Sequence, residues 1–124
     1  MEKEEFQTLI NQLEGYKTKF REFHWAAETK QEHVVCDECI TEVTEFQDQF
    51  AESGFSIFGK NQVGELVPEF IGTTSTDETI LSAIADITVV KELIMDDVQF
   101  CGISAIIDEI IVKLQKFRTL LTYK

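Results

Sequence analysis

Apolar residues recur every three or four positions from the start of the chain. Phe6, Leu9, Ile10, Leu13, Tyr16, Phe20, Phe23 and Ala27 mark one face of a helix over residues 4–26, since a helix completes a turn in about 3.6 residues. Gly15 lowers helix propensity inside this stretch without interrupting the stripe. Thr29-Lys30-Gln31-Glu32 is a capping box and predicts the start of a second helix after a very short turn. The apolar side of that helix carries Cys36, Cys39, Ile40, Val43, Phe46 and Phe50, and Gly54 is its expected C-terminal cap. A second box, Ser75-Thr76-Asp77-Glu78, opens a third helix. There Ile80, Ile84, Ile87, Ile94 and Val98 form one stripe, and Leu81, Val89, Val90, Leu93 and Met95 widen it. A helix apolar on more than one face is expected to be buried against several neighbours. Gly102 separates it from a fourth helix bearing Ile103, Ile106, Ile107, Ile110, Ile111, Leu114, Phe117 and Leu121.

Residues 54–76 break the pattern. They hold four of the six glycines and the only proline, Pro68. Yet Phe55, Ile57, Phe58, Leu66, Val67, Phe70 and Ile71 make the segment too apolar for a free linker. It predicts an ordered connection, with one short helix near 60–67, that crosses a bundle end or covers a subunit contact. Two short turns and one long middle connection predict an all-α fold, a four-helix bundle with a ferritin-like crossover between its second and third helices.

Composition narrows the class. At 124 residues the chain suits a single domain spanning 1–124. Apolar residues make up 44% and charged residues 27%, with no run long enough to span a membrane and no signal-peptide pattern after Met1. Three cysteines argue against a disulfide framework and point to a reducing, cytoplasmic setting. A net charge of −12 argues against a broad DNA-binding surface and suits the attraction of cations.

The candidate chemistry lies between His24 and Glu52, a stretch that contains both histidines, His24 and His33. On an ideal helix, with His33 at zero, Asp37 lies near ~40°, Asp48 near ~60° and Glu52 near ~100°. The four share a face, as ligands would; so would a solvated acidic face that includes a histidine. His33 and Asp48 are roughly 22 Å apart along such a helix, so they cannot hold one ion within one chain. Two copies related by a two-fold axis can bring the nitrogen donors of one to the carboxylates of the other. Imidazole with carboxylate suits iron(II) and also accepts zinc or manganese. The paired Glu-x-x-His repeats of a single-chain di-iron bundle are missing, because Arg21 and Lys30 stand three residues before the histidines.

At these residues the chain resembles the Dps family, the mini-ferritins known as DNA-binding proteins from starved cells. The resemblance rests on His24-Trp25, on His33 and Asp37 four apart, and on Asp48 and Glu52 four apart before Ser53-Gly54. The segment between the two histidines is a few residues shorter here than in the family. The resemblance implies a homo-oligomer, a two-fold dimer at minimum and a hollow dodecameric shell at most, with a ferroxidase centre between subunits. His24 and His33 would be ligands from one subunit, Asp48 and Glu52 from the other. Asp37 would hold a second iron and Trp25 would sit beside the site. Iron(II) would be oxidised there by hydrogen peroxide or oxygen and stored as ferric iron, protecting the cell from oxidative damage. The family's Lys-rich DNA-binding tail has no counterpart here, so no DNA binding is expected. The competing expectation is a non-catalytic ferritin-like bundle serving as an oligomeric metal-binding or interaction module. Cys36 and Cys39 form a Cys-x-x-Cys, which at helical spacing beside Ile40 and Val43 reads as core, as does Cys101.

Overall fold

The computed structural model describes residues 1–59 and 64–123. Among them are four α-helices: α1 (Lys3–Ala26), α2 (Lys30–Phe58), α3 (Thr76–Ile94) and α4 (Cys101–Leu120), with a 3-10 turn at Val98–Phe100. The caps explain the boundaries. Thr29 accepts the Glu32 N–H at 3.1 Å and starts α2. Ser75 does the same for Glu78 at 3.1 Å and starts α3. Each predicted box is only half closed, because the glutamate turns elsewhere: Glu32 accepts from Thr76, and Glu78 from the Thr74 N–H and hydroxyl.

α1 packs against α2 and α3, and α4 packs against the same two helices. The stripes meet in one core that includes Phe6, Leu9, Leu13, Phe20, Val43, Phe50, Ile80, Ile87, Ile107 and Leu114. Burying each such side chain contributes about 1.5–3 kcal/mol. Rings knit one end of the bundle. Phe6 lies 4.9 Å from Phe50 and 5.3 Å from Phe58, and Phe58 lies 6.2 Å from Phe100. At the other end, Gln31 donates to the Leu120 carbonyl at 3.0 Å, and Thr76 donates to Glu32 at 3.1 Å. The chain returning from α2 is strapped onto α1: the Gly64 N–H donates to Gln7 Oε1 at 2.6 Å, that of Val67 to Asn11 Oδ1 at 3.2 Å, and that of Glu69 to the Asn11 carbonyl at 3.0 Å.

Several expectations change. Gly54 does not cap α2; it is buried inside it, where a Cβ would overlap the Phe6 ring. The cap is Gly59, whose φ of 100° is a conformation that favours glycine. Of the short helix expected near 60–67, residues 60–63 lie outside the described residues and 64–67 are not helical. Gly102 lies in the first turn of α4, and the break before it is made at Met95–Asp97, where Asp96 takes a φ of 68°. Met95 and Val98 fall outside α3 and are exposed, Val98 at 84%, Cys101 is exposed, and Leu81, Val89 and Leu93 on α3 face outward. No helix among the described residues is long and apolar enough to cross a membrane.

Candidate metal centre

Both histidines sit where α1 hands over to α2. The last carbonyls of a helix lack intrahelical partners, and His24 lies in the last turn of α1. His33 Nδ1 donates to the His24 carbonyl at 3.1 Å, and His24 Nδ1 donates to the His33 carbonyl at 3.0 Å. The rings stack with centroids 3.8 Å apart and planes 23° from parallel. A carbonyl oxygen can only accept, so each Nδ1 carries the proton, and in the neutral ring the lone pair is left on Nε2. A backbone carbonyl that orients an imidazole in this way is the usual support behind a metal-ligating histidine.

The carboxylates spread along the outside of α2. Asp37, Asp48 and Glu52 are all exposed, on the same side as His33. Asp48 borders an open groove of about 460 Å³ that also involves Ile10, Thr41, Thr44, Ala51 and Leu66. Trp25, beside His24 at the end of α1, is 74% exposed. The fold therefore brings His24 and His33 into contact and leaves Asp48 and Glu52 several helical turns away. Among the described residues of one chain, no three His, Cys, Asp or Glu side chains are grouped to hold a metal ion. These residues of one chain therefore do not by themselves form a metal centre. The donor types present, open imidazole nitrogens and exposed carboxylates, suit a hard or borderline divalent cation.

The cysteines offer no competing centre. Cys36 and Cys39 are buried, and burial pushes both thiols up, away from the reactive thiolate. Cys36 meets only the Thr76 hydroxyl at 3.4 Å.

A polar group that the apolar stripe concealed lies between α1 and α3. Tyr16 counts as a core residue by spacing, yet its hydroxyl donates to Asp86 and meets Ser82 at 2.7 Å. Burial, and then the bond to Asp86, push its ionisation well above the ordinary value. The signal in the sequence was Asp86 itself, a carboxylate between Ile84 and Ile87 in an otherwise apolar helix.

Comparison with protein-family models, curated proteins and solved structures finds no match for this chain.

Proposed function

We propose that this protein is a Dps-like mini-ferritin: a ferritin-like bundle that binds iron(II) at a centre shared between two copies, oxidises it and retains the ferric product. The observation that carries this reading is the reciprocal histidine clasp, which commits both Nδ1 atoms to carbonyls and leaves both Nε2 atoms for a ligand. A ferritin-like crossover from α2 to α3 is supported by the strap of residues 64–69 on α1 and by the start of α3 beside the start of α2, through Thr76 and Glu32.

In this reading the centre is built on the His24–His33 pair with Asp37 one turn further along α2. Asp48 and Glu52 of a second copy complete it across a two-fold axis. The protein binds and orients the ferrous substrate and holds the negative charge that favours the ferric state. Two ferrous ions would each give up one electron to a single hydrogen peroxide, whose O–O bond breaks as two protons arrive and two waters leave. Oxygen is the alternative oxidant, and zinc the alternative occupant. Trp25, which follows His24 in the chain and is exposed, would lie beside the centre in this reading. The acidic surface suits cation capture and a cytoplasmic protein that leaves DNA alone.

Anaerobic iron(II) titration followed by peroxide tests this. Saturable binding and a fast rise in ferric absorbance are expected. His33→Ala and Asp48→Ala each lose both, and mixing the two variants restores part of the activity, because one of the two centres in a mixed dimer keeps all its donors. Oxidation retained in both single variants overturns the assignment. Binding without oxidation turns the reading into that of a non-catalytic metal-binding module of the same fold.

A further inference from the structure

We propose that the outward face of α3 is a docking surface for a cationic amphipathic helix of another protein. The outer side of a surface helix ordinarily carries charged and polar residues. On α3 that side carries Leu81, Ala85, Val89 and Leu93, all exposed, the three larger ones at 43%, 55% and 42%. They stand at four-residue intervals and so form one ridge about 18 Å long. The opposite side of α3 buries Ile80, Ala83, Ile87, Val90 and Ile94 against α1 and α4. α2 also packs against α1 and α4, so it lies diagonally across the bundle. The ridge therefore stays open even in a dimer paired through α2.

Shape and charge together choose the occupant. A ridge of this spacing seats in the matching groove of a second helix, at a crossing angle of about −50°. Beside its N-terminal end, a cleft of about 620 Å³ between α3 and α4 is lined by residues that include Leu81, Ile84 and Leu121. It has room for a bulky side chain of the partner, the kind of anchor on which helix-in-groove contacts depend. The rim is acidic. Glu78 stands one turn before Leu81, Glu92 is exposed beside Leu93, and Asp96 and Asp97 follow the end of α3. Lys91, the one cation in α3, is paired with Asp108 at 2.7 Å, and Arg118 beside the cleft is paired with Asp77 at 2.8 Å. A second copy would bring the same negative excess, −12 per chain, to the contact. An anionic lipid surface is repelled for the same reason. A helix with leucine-like residues on one side and lysine or arginine along its flanks meets both the ridge and its rim.

The probe is a synthetic helix of leucine and lysine, about 18 residues long, with its leucines on one side. Calorimetry with the full chain should show saturable binding of one peptide per chain. A scrambled peptide of the same composition should bind at least about 10-fold more weakly, and a leucine–glutamate peptide should not bind. Val89→Gln and Leu93→Gln, which leave the charge unchanged, should each weaken binding by about 10-fold, the scale of one lost apolar contact. Glu92→Gln should flatten the salt dependence. Val34→Gln, an exposed position on the diagonal helix α2, should change nothing. Circular dichroism checks that each variant keeps its helices. Equal binding of the scrambled peptide, or wild-type affinity in both Val89→Gln and Leu93→Gln, would mean that acidity alone attracts the probe and overturns the proposal. Equal binding of the leucine–glutamate peptide overturns the choice of a cationic partner. A smaller sedimenting mass in Val89→Gln than in the wild-type protein assigns the face to a second copy instead. Flotation of the wild-type chain with phosphatidylcholine or phosphatidylglycerol vesicles, lost in Val89→Gln, assigns it to a lipid surface.

Discussion

Glu14 shows how a single surface-facing residue is tied into this bundle. Gln47 of α2 donates to its carboxylate at 3.1 Å and to the Ile10 carbonyl at 3.1 Å, and Lys17 pairs with Glu14 at 2.8 Å. Burial works to raise the carboxyl, but the bonds from Lys17 and Gln47 outweigh it, and the group is held below its ordinary value of 4.5. A carboxylate depressed on folding contributes stability above its unfolded value and loses that contribution as pH falls through the folded value. Glu14→Gln should therefore cost about 1 kcal/mol at neutral pH, measured by urea unfolding. The gap to the wild-type protein should close as the pH is taken below the ordinary value of 4.5. A gap that persists in acid would mean that the carboxylate's charge is not what matters. The linkage is not visible in the apolar pattern, because it joins polar residues of two different helices.

At the scale of elements, glycine is where pattern and structure part. Gly54 was read as a stop because glycine often follows a helix, yet α2 runs on to Phe58, since Gly54 is needed for close approach rather than for its backbone freedom. The Phe6 ring fills the space a side chain would take. Gly15 plays a similar part on α1, where a Cβ would overlap the Glu69 carbonyl oxygen. Gly15→Ala should raise helix propensity by about 1 kcal/mol, but only by pushing the strap away, because the obstacle is backbone. The Asn11–Glu69 bond is then strained or lost. Limited proteolysis within residues 64–70 should become severalfold faster while the helix content is kept. An unchanged cleavage rate would show that the strap tolerates the methyl group.

On the scale of the whole molecule, charge and exposed apolar surface pull in opposite directions. The net charge is −12, so copies repel. Trp25, Leu66, Val67 and Phe70, the last of them 88% exposed, remain uncovered, as do Leu81, Val89 and Leu93 on α3. Apolar area of this kind favours association. Sedimentation at neutral pH should give at least twice the mass of one chain, and added salt should shift the balance toward assembly by screening the repulsion. A monomer at every salt concentration would remove the partner on which the shared centre depends.

The four helices were legible because each carries its own period: a stripe at three-four spacing specifies a helix and its buried side without reference to any neighbour. Thr29 and Ser75 placed two helix starts for the same reason, since a cap acts within one turn. The candidate ligands were legible as types and as members of one face, from the spacing of His33, Asp37, Asp48 and Glu52. Contacts between residues distant in sequence, or across a turn, were not legible. Tyr16 meeting Asp86, Gly15 against Glu69 and the face-to-face meeting of His24 and His33 follow from how helices are set against one another. Ring orientation depends on which carbonyl each nitrogen reaches, and only the packed turn between α1 and α2 decides that.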